Sequence, residues 1–387
     1  MFRRWVRHVL AGGILIPFLI QDLGGQGKKN LGPLVYEVED GGVVITGYQG
    51  PPGRVEIPIS IEGLAVNKIG KQAFREKTGL TAISLPAEVT EIGNQAFWGC
   101  DNLDFVVLPP RLLHLGKETF SFCGKLSRVE LPQGLKEIPA GAFQQCHSLY
   151  EVSLPEGITT IGKHAFANCD QLVRVRLPES LNTLGEGAFQ YCSRLASLQL
   201  PANLTRIGSQ AFSHCSALRD VKLPEKMTHL GPQAFLNCRK IAGLVLPAGT
   251  VEIGKHAFKG CEALTRVSLN PGLNRIPEHA FWGCESLGEV ILPDTIESIG
   301  DDAFRECRGL RRIFLPRRLL LIGERAFQDC VNLEMLVVPA SVQKIGQEAF
   351  QGCQKLQSLD LPISFLSFSP DANLAVPPGV KVVPTEN

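Results

Sequence analysis

The chain has 387 residues, with 39 Lys and Arg against 38 Asp and Glu and a formal net charge of +1. That balance leaves no electrostatic footprint for nucleic acid or an anionic membrane, and a hydrophobic content of 44% excludes disorder over most of the length. Glycine (39) and proline (26) are numerous, as in a chain with many turns.

The first element reads as a targeting signal. "MFRRWVRH" is basic, and Val9–Ile20 is a short apolar core interrupted by Pro17. This is the layout of a secretory signal peptide, and the core is short for a membrane span. Residues 1–25 are therefore expected to direct export. Only Gly24 and Gly25 offer small residues for cleavage, so an uncleaved anchor and a buried N-terminal segment are the alternatives. Residues 26–73 read as an N-terminal cap with an irregular first rung. Within it, Leu34–Tyr48 alternates around Asp40-Gly41-Gly42, a hairpin signal. Val55–Pro58 follows as a first strand.

A repeat then takes over. Phe recurs every 23 residues from Phe74 to Phe350, thirteen copies without insertion or deletion. All twelve Cys, from Cys100 to Cys353, keep the same interval, and Lys77 stands where the first would be. A constant interval marks a repeat position, neither a CxxC metal site nor an irregular disulfide framework. Free Cys is among the most buried residue types, so the column is expected to be buried thiols. Leu-Pro opens most repeats and a Gly follows seven residues later. Asn270 displaces one Pro by a residue, and Pro139 and Pro277 twice replace the Gly. Such regularity is what a solenoid needs, because every rung must meet its neighbours with the same face.

One rung can be read locally. In Leu172–Pro178, Leu172, Val175 and Leu177 point inward and Arg174 and Arg176 outward, a short parallel strand ended by Pro178. Leu181 and Leu184 then face the core, and Gly185 supplies a permissive turn. Ala188, Phe189 and Cys192 are spaced for one helical or 3₁₀ turn aimed at the core. Regular rungs run over 74–368. Beyond them, 369–387 reads as a degenerate cap or tail, with Ser369 at the Gly position and Asn373 at the Phe position, and Val380–Pro384 as a possible edge strand.

The unit LPxxITxIGxxAFxxCxxLxxVxL resembles the BspA-like leucine-rich repeats of bacterial surface and secreted proteins, and the lead-in before Phe74 resembles their entry segment. The resemblance runs from about residue 34 to 368. It implies adhesion to host or neighbouring-cell proteins, and no enzymatic activity. The expected fold is an α/β solenoid rich in β structure. It would be a leucine-rich-repeat right-handed superhelix with one short parallel strand per rung, ~60 Å long at the parallel-strand spacing.

If the repeated letters face inward, only the drifting ones can contact a partner. The first outward strand column stacks Arg128–Glu151–Arg174 and Arg266–Glu289–Arg312. Cross-strand pairing there is expected to contribute about 0.2–1 kcal/mol per pair. The second column stacks Ile291, Phe314 and Val337 on successive rungs with Met335 beside them, and Phe105 and Val107 form a smaller apolar pair. Contiguous exposed apolar surface marks an interaction site, so these six residues are the candidate partner-binding residues. His164, His256 and His279 fall two before their Phe and read as variable surface positions. Trp98 and Trp282 follow theirs and read as covers of a rung edge. No catalytic constellation, cofactor loop or metal spacing stands out from the repeat. The expectation is an exported, non-enzymatic binding protein, monomeric, without cofactor or metal. Its partner would be a protein or other macromolecule on a host or neighbouring cell surface, not nucleic acid. The alternative is a structural envelope protein with no specific ligand.

Overall fold

The computed structural model describes residues 27–363 and 376–385. The export segment expected at 1–25, and the tail positions Ser369 and Asn373, lie outside them.

The chain enters through a hairpin. Leu34–Glu39 pairs antiparallel with Gly42–Tyr48. The two residues between, Asp40 and Gly41, both have left-handed backbones (φ 49° and 76°), the geometry whose twist matches paired strands. Gly42–Tyr48 then pairs in parallel with Leu64–Ile69, which turns a hairpin into the first step of a ladder. From here the chain is a parallel β-solenoid of about 14 turns.

Most rungs carry two strands, where one was expected. The first has three residues, as in Arg174–Arg176, with Val175 buried and both arginines exposed. The second has two, as in Thr183–Leu184, with only Leu184 buried. Two residues are too short to show an alternation, which is why the sequence pattern hides the second strand.

The α/β expectation is also corrected: over the described rungs from Phe74 to Pro362 there is no helix. The third side is a run of turns that is itself laddered. Ala188, Gln190 and Cys192 donate their amides within the rung, to Gly185, Gly187 and Phe189. Gly187, Phe189 and Tyr191 donate instead to Ser209, Ala211 and Ser213 of the next rung, each at 2.8 Å. A helix directs all its amides along its own axis and could not make this second set. Left-handed residues two before and two after each Phe, such as His164 (φ 53°) and Asn168 (φ 60°), enforce the alternation.

The interior is a continuous aromatic stack. From Phe74 to Phe350 every ring lies 5.2–6.0 Å from the next, at interplanar angles of 15° or less. Tyr48 extends the stack into the N-terminal cap, 5.6 Å from Phe74. Beside it runs the Cys column, all twelve thiols free and buried. Each Sγ donates to a Phe carbonyl, as Cys192 does to Phe166 at 3.2 Å. That same carbonyl accepts the Cys169 amide. Cys is thus the residue that fills a small apolar slot and still offers a weak donor. Burial pushes the thiols up, those of Cys100, Cys215, Cys261 and Cys353 to about 12.

The repeated Gly has a different role from the one expected. Gly185 has no left-handed φ. A Cβ there would instead lie 2.7 Å from the Gly162 carbonyl carbon of the preceding rung, so close approach of two backbones demands glycine.

Proline decides where the two-residue ladder breaks. The Gly amide normally donates back, as Gly162 does to Ile138. Pro139 and Pro277 have no amide to give, and the two-residue ladder is interrupted at those steps, between His114–Leu115 and Glu137–Ile138 and between Glu252–Ile253 and Arg275–Ile276. The three-residue ladder has its own interruptions, beyond Arg128–Glu130, Arg174–Arg176, Asp220–Lys222 and Glu289–Ile291. The two sets never coincide: wherever one ladder is open, the other is paired. At the C-terminal end Ser358–Pro362 pairs in parallel with a last strand, Lys381–Thr385.

Candidate interaction surface

The three-residue strands project alternate side chains from one face, and the second outward column holds the apolar candidates. Ile291, Phe314, Met335 and Val337 are all exposed, and Phe314, at 84%, is the most exposed large hydrophobic side chain among the described residues. They form one stripe. Phe105 and Val107 are exposed on a single strand near the other end, paired in register with Arg128 and Glu130, and do not join it. Val245, 70% exposed, belongs to the same column two rungs before Ile291, with Ser268 between. The sequence reading passed over it because Ser268 interrupts the apolar run.

The rung of Phe314 is also where the ladder opens. Glu289–Ile291 pairs with the strand before it, whereas on the next rung only Arg312 makes a bridge, forward to Met335. A cleft of about 490 Å³ lies there, lined by Glu289, Ile291, Arg311, Arg312, Phe314 and Glu334 among others.

The expected charge ladders do not form. Arg266 and Glu289 are backbone partners in register, but among the described residues no ion pair links Arg266, Glu289 and Arg312, nor Arg128, Glu151 and Arg174. Arg128 turns along its own strand to Glu130 at 2.9 Å, and Arg312 reaches Glu334 only at 3.9 Å. Exposed pairs gain little from contact and lose side-chain freedom in making it.

The opposite, turn-lined side carries the histidines and tryptophans, and they are less variable in role than expected. His256 and His279 sit at left-handed positions, φ 59° and 57°. Their rings stack 4.4 Å apart. Burial holds both below the ordinary histidine range; at His256 the His279 ring adds to this, and at His279 Asp302 opposes it. Asp302, only 2% exposed, receives two hydrogen bonds from Arg325 at 3.0 and 3.1 Å and one from Arg305 at 3.2 Å. Burial would raise its carboxyl, but the two guanidiniums win and hold it low. Trp282 lies between Lys259, 3.5 Å from the ring centre, and Arg305 at 4.8 Å. Arg305 and Asp302 share a rung, but the other contacts of this cluster join neighbouring rungs, so the cluster ties rungs together. Among the described residues no group of His, Cys, Asp or Glu is arranged to hold a metal, and no helix is long and apolar enough to cross a membrane.

The fold has relatives. A structure of a leucine-rich repeat protein from Bacteroides ovatus is 32% identical, with a TM-score of 0.76 over 92% of this chain and 99% of that one. A leucine-rich cell surface protein from Faecalibacterium prausnitzii is 28% identical, with a TM-score of 0.57 over 86% and 94%. A leucine-rich repeat protein from Eubacterium ventriosum shares the fold at 20% identity and a TM-score of 0.53, over 83% and 93%. No curated protein matches the chain. The model of the BspA type leucine rich repeat region matches residues 67–196, 182–307 and 274–372. With most of its length accounted for by that repeat, the chain belongs to the BspA-type leucine-rich repeat family.

Proposed function

We propose that this is an exported, non-enzymatic binding protein that recognises another protein through the stripe of Ile291, Phe314, Met335 and Val337. The observation that carries the reading is Phe314, 84% exposed beside the open step of the ladder, with apolar neighbours one rung to either side. A solitary exposed Leu or Val needs no explanation, but a contiguous apolar stripe marks a contact surface. Aromatic anchors dominate binding energetics at such surfaces. Export is supported by the layout of residues 1–25 and by the relative described as a cell surface protein. Phe105 and Val107 form a secondary contact in this reading.

The test is adhesion or partner capture by the full chain against its Phe314→Asp and Ile291→Asp variants. Capture should fall by about tenfold or more for Phe314→Asp, the scale of a lost aromatic anchor. Unchanged capture would remove the stripe from the function and favour a structural envelope role.

A further inference from the structure

The rungs on either side of the open ladder step carry opposite charge. Residues 284–300 contain Glu285, Glu289, Asp294 and Glu297 and no Lys or Arg, whereas 307–323 contain Arg308, Arg311, Arg312, Arg317 and Arg318 and no Asp or Glu. In a chain of net charge +1 this is a local dipole along the solenoid axis. Within the chain it is only partly used. Glu285 pairs with Arg308 at 2.8 Å, but among the described residues Glu289, Asp294, Arg311, Arg317 and Arg318 make no ion pair. The unspent charges border the exposed stripe.

We propose that the partner of this face is a second copy of the chain, docked antiparallel about a two-fold axis that passes between these two rungs, perpendicular to the solenoid axis. Such an axis sets each column against itself and reverses the order of rungs. Ile291 of one copy then meets Phe314 of the other, Glu289 meets Arg312, and Asp294 meets Arg317 at the rim. Ser268, one rung before Ile291 in the same column, faces Val337. Every contact occurs twice, as an isologous interface requires. The rung spacing of both partners is the same ~4.8 Å, so the stripes stay in step along their length. A partner with no charge alternation at this interval would leave Glu289 and Arg312 opposed to nothing. The inference rests on the stripe being a binding surface and names its occupant. The monomer expected from the sequence is the opposing outcome.

Sedimentation of the full chain over a wide concentration range tests it. The expected result is a monomer–dimer equilibrium. Glu289→Arg and Arg312→Glu should each weaken self-association by roughly 30-fold or more, as like charges are brought together. An equimolar mixture of the two variants should dimerise again, because every Glu or Arg then faces its opposite in the other chain. That rescue cannot come from contacts within one chain. A wild-type chain that stays monomeric, or a mixture that does not associate, overturns the proposal. If the chain is monomeric while Phe314→Asp still loses capture of another protein, the binding reading stands and self-recognition falls. If Phe314→Asp dimerises as well as the wild type, the interface lies elsewhere and the proposal is wrong.

Discussion

Two glycines separate close approach from simple openness. A Cβ on Gly231 would sit 2.5 Å from the Ser209 amide nitrogen, backbone that cannot step aside, while one on Gly243 would meet nothing within 4 Å. Neither position has a left-handed φ. Gly231→Ala should therefore destabilise the fold by about 1–3 kcal/mol through overpacking. Gly243→Ala should be neutral or stabilise by about 0.4–1 kcal/mol, by restricting the unfolded chain. Urea denaturation of the two variants decides it; equal losses would show that the crowding at Gly231 relaxes. The same reasoning covers the buried column of Cys. Its thiols are held by burial and by Phe carbonyls, so an oxidising space beyond the cell need not convert them to disulfides.

At the scale of elements, the turn-lined side is where pH should act. His256 and His279 are both held below the usual histidine value by burial, among Lys255, Lys259, Glu278, Asp301 and Asp302. The folded state thus prefers the neutral rings. The stability they carry is complete above the unfolded-chain value of about 6.5, and is lost as pH falls through it toward the lower folded value. The urea midpoint should drop between about pH 7.5 and pH 5.5, and a His256→Asn/His279→Asn double variant should flatten that drop. Asn suits the left-handed backbone at both sites and does not titrate. A double variant with an unchanged pH profile would place the acid sensitivity elsewhere. These elements also show what the sequence could and could not reveal. The inward letters, the strand at Arg174–Arg176 and the outward stripe were legible because alternation and a fixed interval expose them. The second strand was not, since Thr183–Leu184 is shorter than any period. The helix expected around Phe189 was not found, because local spacing cannot show that alternate amides leave for the next rung. Nor could charge letters in register reveal that Glu289 and Arg312 decline to pair.

For the whole molecule the question is whether the coil behaves as one body. Long repeat arrays lose two-state behaviour when neighbouring units couple weakly. Here coupling is threefold at about half the steps and twofold at the others, through two strand ladders and the laddered turns, with the Phe stack inside. A single calorimetric transition is expected, and two resolved transitions with a division near Pro139 or Pro277 would refute it. The openings in the two ladders fall at different heights, as the vertical joints do in successive courses of brickwork. A crack that starts where proline has removed one bond therefore meets an intact course on the neighbouring wall. Drawn from its ends, the rod offers no straight cleavage line, and it should hold its shape under load until it fails along its whole length.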